Sequence, residues 1–218
     1  MRAEGAMRFE SRSDAGRRLA EILTPLTSLH PVVVGLPRGG VPVAAEVAKH
    51  LSAPLDVVVV RKIGVPYQPE LGLGAVGEDG VRVINPSVVH QSGVSPAQLA
   101  AAEQAAHQEL LLRVRALRHG RPRIPLAGRS VIIVDDGIAT GSTARAACQV
   151  VRAEGATRVI LAAPVAPVET VTHLHDVADE VVCVSTPDPF YAIGQFYEDF
   201  TQVDDAEVVA LLNEATAE

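Results

Sequence analysis

The chain has 218 residues, 48% of them apolar and 21% charged, with a formal charge of −7. That length suits one well-buried α/β domain rather than two, the acidic balance excludes broad nucleic-acid binding, which needs a basic surface to release counterions, and no window approaches the roughly 18 uninterrupted apolar residues of a bilayer span. Met1 to Phe9 has no apolar h-region and Cys148 and Cys183 lack a second ligand at metal or disulfide spacing, so a soluble, cytoplasmic protein with no membrane partner is expected.

From the N-terminus, Ser13-Asp14 is placed to cap a helix carrying Leu19, Ile22 and Leu23 on one face. The run Val32 to Leu36 reads as a buried strand, closed by Pro37-Arg38-Gly39-Gly40. A second helix follows, with Pro42 in its first turn and Ala44 to Leu51 in its body, and Val57 to Val60 forms another apolar strand. Residues 62–80, rich in Gly and Pro, are expected to form an extended loop or hairpin arm, the candidate lid, before a short strand Val81 to Ile84. Ser95, Pro96 and Gln98 supply an N-cap, a first-turn proline and a capping-box partner for a long helix with the stripe Leu99, Ala102, Ala106, Leu110, Val114 and Leu117.

Next, Val131 to Val134, a helix from about Ser142 to Glu154 ended by Gly155, and the strand Arg158 to Ala163 form a second strand-helix-strand unit. Val181 to Val184 reads as one more buried strand, and Asp204-Asp205 caps a last helix. Arg113, Arg115, Arg118, Arg121, Arg123 and Arg129 crowd the middle of the chain. They face either an anionic ligand or acidic neighbour, or, as the favoured reading, form a solvated helix end that complements the helix dipole. Strands alternating with helices at this spacing imply an open, mostly parallel sheet covered on both faces, whose crevice lies beyond the carboxyl ends of the strands, where both glycine loops fall.

The segment from Val131 to Thr143 concentrates the chemistry. Asp135 and Asp136 leave the end of a buried strand and are costly there unless cations, hydroxyls or solvent satisfy them; vicinal sugar hydroxyls or a magnesium shell would do so. Gly137 and Gly141 let backbone N–H groups converge at a helix start, and the hydroxyls of Thr140, Ser142 and Thr143 suit a phosphate dianion. Together they describe a site for a phosphorylated sugar.

An apolar strand, two acidic residues, a short loop and Thr-Gly followed by small hydroxyl residues resemble the signature of the type I phosphoribosyltransferases. The resemblance implies one domain over residues 1–218, with a small hood and C-terminal helix at 185–218. It implies a glycosyltransferase of nucleotide salvage, which transfers phosphoribosyl from 5-phosphoribosyl 1-diphosphate to a base whose identity is not legible, with Mg2+ as cofactor. Asp135 and Asp136 would hold the ribose hydroxyls directly or through magnesium, and Ala139, Thr140, Gly141, Ser142 and Thr143 would cradle the 5′-phosphate. Gly137 departs from the aliphatic residue many members carry. Pro37, Arg38, Gly39 and Gly40 match the diphosphate loop, with Arg38 on the leaving group and a cis peptide at Pro37-Arg38.

Arg61-Lys62-Ile63-Gly64-Val65-Pro66 and Pro69-Glu70 resemble a bacterial branch of the same family. Arg61 and Lys62 are candidates for phosphate contact, although Lys62 is equally readable as a solvated arm residue. Phe190 or Tyr191 is the candidate for base stacking, by resemblance to the family's hood; Phe196 to Phe200 are expected to anchor the C-terminal helix or a homodimer contact. Ala139 stands where relatives acting on 6-oxopurines carry an Asp, with Glu70 and Asp188 as the carboxylates that remain elsewhere. The pattern Gly72-Leu73-Gly74-Ala75-Val76-Gly77 satisfies a dinucleotide fingerprint only on paper, since no strand is expected before it, and a mobile loop is expected instead. The alternative function is a non-catalytic regulator that binds phosphoribosyl diphosphate.

Overall fold

The computed structural model describes residues 8–217. Its central element is a five-stranded, all-parallel sheet in the order β2-β1-β6-β7-β8. Here β1 is Val32–Gly35, β2 Leu55–Val57, β6 Ser130–Val134, β7 Arg158–Val165 and β8 Glu180–Ser185. The inner strands β1, β6 and β7 read as apolar runs because both faces are buried. Val33, Ile132 and Ile160 enter one core, and Val32, Val34, Val131, Ile133 and Val159 the other.

α1 (Arg12–Leu23), α2 (Gly40–Leu51), α4 (Pro96–Arg118) and α7 (Asp205–Ala217) contribute to the first core. α5 (Ser142–Ala153) and α6 (Val168–Leu174) contribute to the second. The cap of α1 is Ser11 rather than Ser13: its hydroxyl accepts the Asp14 N–H at 3.3 Å. The capping box of Ser95 and Gln98 forms as expected, and Asp204 caps α7 by accepting the Glu207 N–H at 2.8 Å. A short helix α3 (Pro86–Ser92), capped by Asn85, was not legible from periodicity. β8 lies at the sheet edge and is half-buried, where a buried strand was expected.

The expected strand 57–60 is divided between two sheets. Val57 pairs with Gly35 in β2, and the chain then leaves at Val58 to begin β3 (Val60–Val65). Val58, Val59 and Val60 stay buried through the crossing, so an apolar run marks burial without marking sheet membership. The arm at 62–80 is no loose loop. β3, β4 (Gln68–Gly77) and β5 (Arg82–Ile84) form an antiparallel three-stranded sheet, with Ile63, Val65, Leu73, Ala75 and Val76 buried. In Gly72 to Gly77, glycines alternate with the buried Leu73 and Ala75, a period-two strand pattern that glycine content disguised.

Within the basic stretch Arg115 is exposed, whereas Arg113, Arg118 and Arg123 face acidic neighbours rather than solvent. Arg118 is 6% exposed and lies between Asp56, at 3.0 Å, and Glu78, whose Oε1 accepts from it at 2.9 Å. Arg123 donates to Glu154 at 2.6 Å and Asp79 at 2.8 Å, and Arg113 grips both oxygens of Asp205 at 2.6 and 2.8 Å. These residues tie α4 and the loop after it to the main sheet, the arm and α7. Among the described residues no helix is long and apolar enough to cross a membrane.

Candidate functional site

The order β2-β1-β6-β7-β8 reverses between β1 and β6: the chain leaves β1 toward β2 through α2, and leaves β6 toward β7 through α5. Loops at the carboxyl ends of such a strand pair diverge and leave a crevice between them. Leu36 to Gly39 is one of these loops, and Asp135 to Gly141 is the other.

The two loops touch. A Cβ placed on Gly39 would stand 1.9 Å from Asp136 Oδ2, and one on Gly40 would stand 2.8 Å from Asp135 Cα. Only glycine fits at either position, because the Asp136 carboxylate beside Gly39 and the backbone of Val134 and Asp135 beside Gly40 occupy the space a side chain would need. The Pro37-Arg38 peptide is cis, as the family resemblance implied.

Asp135 Oδ1 accepts the Asp136 N–H at 2.9 Å. Asp136 Oδ2 accepts from Arg12 Nε at 2.8 Å, and the Asp136 carbonyl accepts from the Tyr197 hydroxyl at 2.5 Å. Burial, and the negative charge of Asp136 beside it, push the Asp135 carboxyl well above the ordinary carboxylate range. Burial also raises Asp136, against the pull of Arg12. A buried acidic pair with one arginine is short of donors, so hydroxyl groups or a cation entering the crevice would be favourable there. Among the described residues no group of three or more His, Cys, Asp or Glu side chains could hold a metal ion.

Gly141, at φ +75°, caps α5 and leaves Ala139, Thr140 and Thr143 exposed at its start. The Ala139 carbonyl accepts the Thr170 hydroxyl at 2.8 Å, and the Thr140 hydroxyl donates to Ser142 Oγ at 3.3 Å. Lys62 reaches this turn from the arm, its Nζ 3.1 Å from Ser142 Oγ. Arg61 points the other way, as the next residue on a strand must, and lies 3.6 Å from Glu109 on α4; it does not join Lys62 at the turn. Arg38 is 4.0 Å from Asp205 at the start of α7.

The hood segment borders the crevice through Ile193, whose Cγ2 would be 2.4 Å from a Cβ on Gly137. That contact explains why this chain has glycine where an aliphatic residue is common. Phe190 packs on Phe196, with ring centroids 5.2 Å apart, whereas Tyr191 is 83% exposed; of the two stacking candidates, Tyr191 presents a free ring. Phe196, Tyr197 and Phe200 anchor the N-terminal segment, not the C-terminal helix. Phe9 bridges to Tyr197 in parallel pairing and stacks on it at 5.4 Å, and Arg12 lies 4.0 Å over Phe200. Arg12 and Tyr197 are site residues the sequence did not reveal, because their contacts with Asp136 span the chain and leave no local pattern. The side chain of Glu70 lies outside the described residues.

Residues 13–201 match the phosphoribosyl transferase domain family. The chain belongs to that family. Two Mycobacterium tuberculosis proteins, provisionally named phosphoribosyl transferases, are 58% identical over 207 residues, covering 95% of this chain and 47% of theirs. The chain therefore spans about half the length of the curated relatives it matches. Its fold is also that of TT1426 from Thermus thermophilus, whose crystal structure is 47% identical with a TM-score of 0.90, covering 95% of this chain and 99% of the other. In this chain the double-Asp loop and the Gly39-Gly40 loop face each other across the switch point.

Proposed function

We propose that this phosphoribosyl transferase domain binds 5-phosphoribosyl 1-diphosphate between its two loops and transfers the phosphoribosyl group to a nitrogen of a base, releasing diphosphate. The observation that carries the reading is the meeting of Gly39 and Gly40 with the Asp135-Asp136 pair. It brings a carboxylate pair suited to vicinal hydroxyls into contact with a backbone loop suited to a diphosphate. One helix start away, Gly141 to Thr143 with Lys62 offers N–H groups, hydroxyls and a cation for the 5′-phosphate.

As the bond to diphosphate breaks, positive charge spreads over the sugar and negative charge grows on the leaving group. Asp135 and Asp136 would hold the ribose in place, while Arg38 would stabilise the departing diphosphate by a charge-assisted contact. Magnesium bound by the diphosphate would neutralise part of that charge. Two carboxylates plus substrate phosphates are a usual setting for this ion, and Asp135 and Asp136 would hold its water shell. Tyr191, an exposed ring two residues from the Ile193 that borders the crevice, would stack on the acceptor base.

The test is thermal. A ligand that binds only the folded state raises the melting temperature, so 5-phosphoribosyl 1-diphosphate with magnesium is expected to raise it, and Asp135→Asn with Asp136→Asn to abolish the rise without unfolding the apo protein. An undiminished rise in that variant overturns the reading.

A further inference from the structure

Arg12 lies outside both loops, 124 residues from the acid it contacts. Asp136 is 8% exposed, and a carboxylate so buried needs a fixed partner. Arg12 supplies it with Nε at 2.8 Å, while its Nη1 donates to the Thr201 carbonyl at 2.7 Å and its Cζ sits 4.0 Å over the Phe200 ring. Three contacts on different sides of one planar group leave it a single orientation. Gly39 lies against Oδ2, the same carboxylate oxygen that Arg12 bonds, and the Tyr197 hydroxyl holds the Asp136 carbonyl. The carboxylate is therefore set by the first turn of α1 and by segment 197–201, both remote in sequence from the loop that carries it.

The anchorage of these outer elements is mutual. Phe9 N–H donates to the Phe196 carbonyl at 2.8 Å, Glu198 N–H to the Phe9 carbonyl at 2.8 Å, and Arg8 Nη2 to the Tyr197 carbonyl at 2.9 Å. Residues 8–10 and 196–199 thus run as a short paired strap, and Arg12 is where that strap reaches the site.

We propose that Arg12 is a positioning residue for ribose recognition, aiming the Asp136 carboxylate at the sugar hydroxyls and tying its geometry to the hood segment. This rests on the phosphoribosyl diphosphate reading above. Only a guanidinium makes all three contacts: a lysine ammonium keeps the charge but cannot bond Asp136 and Thr201 while lying flat on Phe200.

Binding of two ligands separates positioning from general support of the fold. Inorganic diphosphate with magnesium needs the Gly39-Gly40 loop but has no ribose; 5-phosphoribosyl 1-diphosphate with magnesium needs both. Arg12→Gln is expected to weaken the second about tenfold, within the range of coupling between directly contacting groups, and the first by less than about twofold. Arg12→Lys, which retains the charge and serves if the Gln variant does not fold, is expected to show a smaller loss, again confined to the ribose-bearing ligand. Equal losses for both ligands, no loss, or tighter binding in the variants overturns the proposal while leaving the phosphoribosyl reading standing. Failure of the unaltered protein to bind 5-phosphoribosyl 1-diphosphate sinks that reading, and this one with it.

Discussion

Lys62 Nζ lies 3.1 Å from Ser142 Oγ, which joins the antiparallel arm to the turn that opens α5. The arm was expected to act as a lid, yet its strands are packed and one of its cations already sits at the helix start. If that turn holds the 5′-phosphate, Lys62→Met removes a charge-assisted contact worth about 1.5–3 kcal/mol. Affinity for ribose 5-phosphate, measured by calorimetry, is expected to fall roughly tenfold or more, with little change in melting temperature. An unchanged affinity would place the lysine outside the phosphate site.

The arm depends on a buried ion cluster. Arg118 is enclosed by Asp56 and Glu78, and removing it strands both carboxylates. Loss of one partner from a buried pair typically costs about 3–5 kcal/mol. Arg118→Ala is expected to destabilise the protein by that order in urea unfolding, whereas Arg115→Ala, for an exposed neighbour on the same helix, should cost well under about 0.5 kcal/mol. Similar values for both would show that the cluster does not hold the arm.

What the sequence made legible was local. Asp135-Asp136 and Thr140 to Thr143 are consecutive, so strand, carboxylates and cradle could be read together, and the parallel sheet followed from runs such as Val131 to Val134. The hairpin reading of the arm holds, but Gly72 to Gly77 within it was misread as a mobile loop because of its glycines, while the alternation of Leu73 and Ala75 between them was the real signal. The arginines from Arg113 to Arg123 looked like a solvated helix end because nothing near them in sequence shows that Asp56, Glu78 and Glu154 come from three other elements. Arg12 had no signal at all: several arginines surround it, and only folding selects the one that meets Asp136.

Burial pushes the Cys148 thiol up to about 12. A thiol raised in the folded state leaves stability intact below the unfolded value near 9.0 and erodes it as pH climbs from there toward about 12, since only the unfolded chain ionises readily in that window. Buried and kept protonated at pH 8, Cys148 should react with a disulfide reagent only after denaturant is added. The Cys148→Ala variant is expected to lose less stability between pH 9 and 11 than the unaltered protein, as read by urea midpoints. Rapid native labelling of Cys148 at pH 8 would contradict its burial.

Arg38 stands at the proposed diphosphate loop with Asp205, itself held by Arg113, 4.0 Å away. Its proposed contact is to a group whose charge grows as the bond breaks, so the interaction is stronger in the transition state than in the bound substrate. Arg38→Ala is expected to lower kcat more than it weakens substrate binding. Release of diphosphate, followed in single turnovers beside calorimetric affinity, separates the two quantities. Unchanged turnover would remove Arg38 from the chemistry, and no diphosphate release from the unaltered protein with any base would favour a binding protein over a transferase.

Ala139 is exposed at the crevice with its carbonyl fixed by Thr170, and its proposed role is to decide the acceptor in part. By the family resemblance, domains acting on 6-oxopurines place an Asp there to move a proton on the base, and a methyl group cannot. Positioned proton transfer contributes about 10²–10⁴-fold in rate. Hypoxanthine and guanine are therefore expected to be turned over slower by that order than a base that needs no proton removed at this position. Ala139→Asp should raise the rate with hypoxanthine if the rest of the crevice accepts the ring. The exposed Asp188, beside the cis Asp188-Pro189 peptide, is the described carboxylate nearest in sequence to the stacking candidate Tyr191, so it and Glu70 are the residues to exclude. Steady-state kinetics with each base decide the matter: fast hypoxanthine or guanine turnover that survives Asp188→Asn and Glu70→Gln would show that Ala139 does not limit the choice of acceptor.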